Sequence, residues 1–350
     1  MEEKHKEPIR LTQYSHGAGC GCKIAPADLE RILENARTDT NDPSVLIGNN
    51  TSDDAAVIDI GDGRALVTTT DFFMPIVDSA IDFGRIAAAN AISDVYAMGG
   101  SPITAIAILG WPLEQLGAAL AGEVLNGARA VCEEAGISLS GGHSIESREP
   151  FFGLSVTGII DQRHIKSNIG AKPGDVLFLT KPIGVGILTT ALKRGLLDDT
   201  TLSAAVSSMS SLNTIGVRLG SIAGVTALTD VTGFGLLGHL IEMCEGSGVS
   251  ANVDFANVPL IEEQVLNELL AKFVMPDNTM RNFKAFNEKV SKLNARKLQL
   301  LCDPQTSGGL LIAVNPSSEH EVGALLQEAG LYHHPIGRIT ERQSPLVNVV

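Results

Sequence analysis

The chain has 350 residues, 44% of them hydrophobic and 19% charged, enough apolar material for a large core and about two domains of ordinary size. Its formal net charge of −14 argues against a general nucleic-acid or membrane-surface binder, and an acidic protein that takes an anionic substrate needs cations between the two. The polar start Met1-Glu2-Glu3-Lys4 is no secretory signal, the apolar run 103–109 is far short of the ~20 residues of a membrane span, and five cysteines without framework spacing fit a reducing, cytoplasmic setting.

In chain order, the first distinctive stretch is His16-Gly17-Ala18-Gly19-Cys20-Gly21-Cys22-Lys23. Glycine and alanine leave the backbone free to bend, and Cys20 and Lys23 set a thiol three residues from an amine. A nearby ammonium favours the thiolate and can bring a cysteine from a pKa of about 8.5 to roughly 7.5 or below. The expectation is a flexible arm carrying reactive groups to a site built elsewhere. Three other readings compete. Half of a zinc site would need a second pair, but Cys132, Cys244 and Cys302 stand singly. A Walker A loop would need glycine at Cys22 and a hydroxyl at Ile24. A terminal tail with incidental cysteines is the third.

A helix is expected from Pro26 and Asp28, then a loop over 41–52. The apolar runs 55–60 and 65–70 flank the turn Gly61-Asp62-Gly63 and read as a hairpin. A helix over 81–98 stops at Gly99-Gly100. A strand at 103–109, a helix at 113–135 and strands at 137–140 and 152–160 complete a first unit. The polar stretch 163–175, with Lys172-Pro173-Gly174, marks a boundary. The second unit begins with a strand at 176–179, helices near 184–193 and 202–219, and a strand at 225–228. A helix at 236–245, strands at 249–255 and 310–314 and a helix at 319–328 follow. The divisions are 1–50 (arm and lead-in), 51–168 and 169–350. Strands and helices intermix without strict alternation, so the class is α+β, or mixed α/β, rather than a doubly wound sheet.

Acids recur where these elements meet loops: Asp53, Asp54, Asp71, Asp94 and Asp230. Adjacent acids are often only solvated surface, but Asp94 sits on an alanine-rich apolar helix, four residues after Asn90 and on the same face. Burying it would demand a cation or donors. Several acids together suit magnesium, which binds carboxylates along with phosphate oxygens. Ser140-Gly141-Gly142-His143-Ser144 reads either as a phosphate-cradling loop after a short strand or as a plain glycine turn. Thr306-Ser307-Gly308-Gly309 carries the same ambiguity. Gly233-Phe234-Gly235-Leu236-Leu237-Gly238 matches the dinucleotide fingerprint, with Asp254 at a suitable distance, although Asp230 just ahead would repel a pyrophosphate.

Taken together, the motifs resemble the selenophosphate synthetase (selenide, water dikinase) family. The resemblance runs from Thr12-Gln13-Tyr14-Ser15 through the arm, Asp53-Asp54-Ala55-Ala56-Val57, Thr69-Thr70-Asp71-Phe72-Phe73 and Asn90-Ala91-Ile92-Ser93-Asp94. It continues through Gly141-Gly142-His143-Ser144 and Thr229-Asp230-Val231-Thr232-Gly233-Phe234-Gly235 to Cys302-Asp303-Pro304-Gln305-Thr306-Ser307-Gly308-Gly309. It implies a two-domain fold like aminoimidazole ribonucleotide synthetase and a homodimer pairing N-terminal sheets. The implied reaction takes ATP, selenide and water to selenophosphate, AMP and orthophosphate, for selenocysteine and selenouridine synthesis. It makes Cys20 the catalytic thiol position, selenocysteine in some members, and Lys23 the essential amine. Asp54, Asp94 and Asp230 would hold Mg2+. Lys23, Thr51, Ser52, Asp53, Asp71 and Asp94 would line ATP, with Gly142, His143 and Ser144 supplied across the dimer. A monovalent cation such as K+ and a selenium-delivery protein are further candidates. A fold relative acting on another phosphoryl acceptor, or a dinucleotide-binding maturation module, is the alternative.

Overall fold

A computed structural model describes residues 9–19, 32, 42–48 and 53–350. Two six-stranded sheets organise them. The first is built from β1 (Val45–Ile47), β2 (Ala56–Gly61), β3 (Arg64–Phe73), β4 (Ser101–Trp111), β5 (Leu139–Glu146) and β6 (Phe151–Asp161), in the order β1-β2-β3-β6-β4-β5. The second comprises β7 (Val176–Leu179), β8 (Val225–Asp230), β9 (Ser250–Val253), β10 (Leu310–Val314), β11 (Gly337–Thr340) and β12 (Val347–Val349), in the order β12-β9-β11-β7-β10-β8. The expected 55–60 and 65–70 hairpin is β2–β3, antiparallel, with Asp62 and both turn glycines at positive φ.

Alternation along the first sheet sends one face inward, onto α1 (Ala80–Ala97) and α2 (Leu113–Glu134). The two helices approach through glycines: a Cβ on Gly84 would strike the Val124 carbonyl, and one on Gly127 the Ile81 carbonyl. Ser79 caps α1 by accepting from the Asp82 N–H, and Gly99 at φ 81 ends it. Among the described residues no helix covers the other face of this sheet. It exposes Phe72, Ile106 and Ile145 at about half of their surface (51%, 48% and 51%).

The second sheet differs. Val176, Phe178, Leu310, Ile312 and Val314 pack on one side against α5 (Ile215–Ser221) and α10 (Glu319–Glu328). Leu177, Leu179, Leu311 and Ala313 pack on the other into the main core. Helix α1 is shared between the halves: 15 of its 18 residues are buried.

Several expectations need correction. The helix expected over 202–219 is two, α4 (Asp199–Ser210) and α5, interrupted where the Asn213 side chain turns inward to bond Ser93 and Gly308. Ser140 to Ser144 is not a loop after a strand but the middle of β5. The strand at 249–255 ends at Val253, because Asp254 caps a 3-10 turn through the Ala256 N–H. Helices α7 (Glu263–Ala271), α8 (Asp277–Phe286) and α9 (Ala295–Leu301) and strands β1, β11 and β12 went unread. The helix expected from Pro26 starts outside the described residues. No described helix is long and apolar enough to cross a membrane.

Candidate active site

The site begins with a match of periodicities. Side chains two apart on a strand lie about 6.7 Å from each other on one face, and those four apart on a helix about 6 Å. Thr69 and Asp71 of β3 therefore meet Asp94 and Asn90 of α1: Thr69 Oγ1 donates to Asp94 at 2.5 Å, and Asn90 Nδ2 to Asp71 at 2.8 Å. Ser93, on another face of the same helix, donates to Asp230 at the end of β8 at 2.6 Å. One helix thus holds carboxylates from both halves.

Asp53 and Asp54 diverge. Asp53 accepts from Ser167 Oγ (2.7 Å) and the Asn168 N–H (2.9 Å), anchoring the connection between the halves. Asp54 turns toward β8, accepting from Thr229 Oγ1 at 3.0 Å. Its Oδ2 is shielded from solvent and has no hydrogen-bond partner among the described residues. Burial, then the charges of Asp230 and Asp94, push the Asp54 carboxyl well above the usual carboxylate range. Three acids that repel one another around an orphaned buried oxygen fit a divalent cation. Among the described residues no three His, Cys, Asp or Glu side chains enclose a metal by themselves. Magnesium ordinarily keeps several waters and substrate phosphate oxygens in its shell beside protein carboxylates.

The Thr306–Gly309 stretch closes the other side. Asn90 Oδ1 accepts the Ser307 N–H at 2.7 Å, so one carboxamide links Asp71 to this loop. Ser307 is at φ 50, and its carbonyl accepts from Lys181 Nζ at 2.9 Å. Lys181 also donates to the Ser211 carbonyl at 2.7 Å, and burial, partly offset by Asp230, lowers its pKa to about 7. Asn213 Nδ2 bonds both Ser93 Oγ and the Gly308 carbonyl at 2.8 Å. Sequence reasoning missed Ser93, Asn213 and Lys181. For Lys181 the signal was a lysine ending the apolar run Val176-Leu177-Phe178-Leu179.

Gly142, His143 and Ser144 do not join the aspartates within one chain. The register runs Asp71–Leu154–Ala107–Gly142 across β3, β6, β4 and β5, three strand spacings or about 14 Å. His143, opposite Ile108, shares the uncovered face. Cys20, Lys23, Thr51 and Ser52 lie outside the described residues. Of this part of the chain residues 9–19 are described, and the Gly19 N–H bonds the Met74 carbonyl at 3.1 Å just beyond β3. Cys132, Cys244 and Cys302 are buried, which lifts their thiols to about 11, 12 and 12 and leaves them as packing residues.

The dinucleotide reading of Gly233–Gly238 fails. The preceding strand, β8, is an edge strand antiparallel to β10, so no βαβ crevice forms. The glycines of α6 (Gly235–Ser247) face protein: a Cβ on Gly235 would lie 2.9 Å from the Cys302 carbonyl carbon, and one on Gly238 2.6 Å from Phe234 Cβ. Gly235 and Gly238 thus serve close packing of protein against protein.

Comparison with known proteins places the family and the fold. Residues 52–160 match the family "AIR synthase related protein, N-terminal domain" and residues 172–349 the corresponding C-terminal domain. The selenide, water dikinase of Aeromonas hydrophila is 56% identical over 334 residues, 95% of this chain and 96% of that protein. The chain belongs to the selenide, water dikinase family. Solved structures share the dikinase fold at lower identity. Thiamine-monophosphate kinase from Stenotrophomonas maltophilia has a TM-score of 0.65 at 21% identity, covering 94% of this chain and 96% of that one. "AaThiL complexed with AMPPCP and TMP" has a TM-score of 0.67 at 18% identity, covering 92% and 91%. The mixed α/β, synthetase-like architecture expected from sequence is the one observed.

Proposed function

We propose that this chain makes selenophosphate from ATP, selenide and water, releasing AMP and orthophosphate. The observation that carries the reading is identity to a dikinase across nearly the whole chain, together with the orphaned Asp54 oxygen between Asp94 and Asp230. Asp54, Asp94 and Asp230 would hold Mg2+, which when bound neutralises triphosphate charge and polarises its bridging oxygens. Phosphoryl transfer needs positioning and charge neutralisation more than covalent chemistry by the protein. The chain's own residues supply the positioning. Thr69 orients Asp94, Ser93 orients Asp230, and Asn90 holds Asp71 while gripping the Ser307 peptide. Each of these donors is fixed before substrate arrives, so little reorganisation is left for the reaction.

The remaining assignments complete the proposal. Cys20 is the reactive thiol and Lys23 the arm's cation, as the family resemblance implies; Cys132, Cys244 and Cys302 are buried and take no part. Lys23, Thr51, Ser52, Asp53, Asp71 and Asp94 line ATP, with a monovalent cation such as K+ as an accessory. The uncovered face of the first sheet, with Phe72, Ile106 and Ile145 exposed, supports a homodimer in which Gly142, His143 and Ser144 serve the partner's nucleotide. The enzyme works in the cytoplasm, with a selenium-delivery protein as its supplier.

The test is anaerobic product analysis by phosphorus NMR with ATP and magnesium, with and without selenide. Selenophosphate with matching AMP and orthophosphate supports the reading. ADP as sole product, indifferent to selenide, would move the chain to another phosphoryl acceptor. Asp54→Asn, Asp94→Asn and Asp230→Asn should each lower turnover by at least about a hundred-fold at fixed magnesium.

A further inference from the structure

The described part of the arm, residues 9–19, is not a loose lead-in. It is fastened to both halves of the molecule. On the first half, Asp78 accepts from Arg10 Nε at 2.8 Å, the Thr12 N–H at 3.1 Å and Thr12 Oγ1 at 2.5 Å. Farther on, Glu149 accepts from the His16 N–H at 3.2 Å, with His16 Nδ1 at 2.7 Å. On the second half, the fastening point is the C-terminal end of α3 (Val185–Lys193). Arg10 Nη2 donates to the Leu192 carbonyl at 2.8 Å and Gln13 Nε2 to the Lys193 carbonyl at 3.3 Å. These carbonyls lie in the last turn of the helix, where that of Leu192 also accepts the Gly195 N–H at 2.9 Å, and a guanidinium there complements the helix dipole. Lys193 returns the contact, its Nζ donating to the Ser15 carbonyl at 2.8 Å and the Gly17 carbonyl at 3.4 Å.

The other end of α3 is held by the loop the arm reaches. Asp303 Oδ2 accepts the Gly186 N–H at 2.9 Å, and Gln305 Oε1 accepts the Gly184 N–H at 3.1 Å. Gly19, at φ 53, is wedged so that a Cβ there would strike Ile76 and Thr306. The stem therefore starts at one end of a nine-residue helix and finishes against the loop that caps its other end. Its last described residue is bridged to Met74, three residues past Asp71.

We propose that Asp78 and Lys193 are positioning residues for the reaction: they clamp the stem across the two halves and so fix where the chain leaves Gly19 toward Cys20 and Lys23. This rests on the reading of Cys20 and Lys23 as the arm's reacting groups. Neither Asp78 nor Lys193 touches the carboxylate cluster, so loosening the clamp frees the stem at residues 9–19 and leaves the carboxylates intact.

The test uses the full chain with Asp78→Ala, Lys193→Met and the conservative Lys193→Arg. Hydrogen exchange of the peptide containing residues 9–19 and steady-state selenophosphate formation are measured side by side. In the Ala and Met variants exchange should quicken by at least about ten-fold, and kcat should fall by a similar factor while the ATP KM moves by less than about three-fold. Lys193→Arg should restore most of both. Faster exchange with unchanged kcat would overturn the positioning role, and unchanged exchange would overturn the clamp. If either variant fails to fold, Thr12→Val, which removes a single Asp78 contact, should give a smaller effect in the same direction; no effect there would sink the proposal. Wild-type enzyme that makes no selenophosphate would remove the functional reading, and the exchange comparison would still decide whether the clamp exists.

Discussion

The two sheets solve the same burial problem differently. The second is covered on both faces, so β7 and β10 are continuous apolar runs with every residue buried. The first is covered on one face by α1 and α2, and its strands alternate, with Phe72 and Ile106 turned out where Phe73 and Ala107 turn in. A sheet covered twice is finished. The first sheet leaves apolar side chains exposed on its other side, the face the proposed dimer would cover. Its inward face pays for chemistry, since the polar positions Thr69 and Asp71 are tolerable there only because α1 answers them with Asp94 and Asn90.

A charge placed on each sheet breaks this contrast most strongly. Ile312→Asp puts a carboxylate on a central, fully buried strand and should cost many kcal/mol, leaving no folded protein by circular dichroism. Ile106→Asp, on the bare face, should fold with a near-native melting temperature yet sediment as a monomer, whereas the wild type should sediment as the proposed dimer. A monomeric wild type, or an unfolded Ile106→Asp, would contradict the difference drawn between the faces.

Smaller changes sharpen the point that α1 joins the halves. Ser93→Ala removes the donor to Asp230 and the acceptor of Asn213 Nδ2, and should destabilise by about 1–3 kcal/mol in urea titrations. A neutral effect would mean that the join depends on apolar packing alone. The subtlest test is Asp303, buried in the second half, where burial raises its carboxyl to about 8. The folded state keeps this acid protonated at neutral pH, whereas the unfolded chain ionises it near its ordinary ~3.9. The associated stability is therefore complete below about pH 4 and is lost as pH rises from there through about 8, by about 1.4 kcal/mol per pH unit. Asp303→Asn cannot ionise, so its melting temperature should fall less than that of wild type between pH 5 and pH 8. Parallel profiles would refute the raised pKa.

Much of the fold could be read from local pattern. The β2–β3 hairpin, α1 with its Gly99 stop, β7, β10 and α10 lie within a few residues of expectation, because alternation, helical spacing and glycine punctuation are properties of short windows. The missed elements have weaker windows. Helix α8 is polar, and β11 and β12 are short strands made stable by pairing with β9. The glycine motifs misled because glycine marks close approach without saying what approaches. At Gly142 it is the Ala107 backbone, and at Gly235 and Gly238 it is the core around Cys302 and Phe286.

For the site, the sequence alone marks Asp53, Asp54, Asp71, Asp94 and Asp230 as acids where strands or helices meet loops, with Asp71 and Asp94 beside apolar segments, along with the arm and the family. Their partners could not be read there. Ser93 and Asp230 are 137 positions apart and Asn90 and Ser307 217, distances over which no periodicity extends. Folding decided which acids share a field, that Asp53 became an anchor while Asp54 kept a bare oxygen, and that Arg10, Asp78 and Lys193 meet around the arm's stem. Local propensity is set by a residue's neighbours in the chain, whereas charge coupling and burial are set by its neighbours in space.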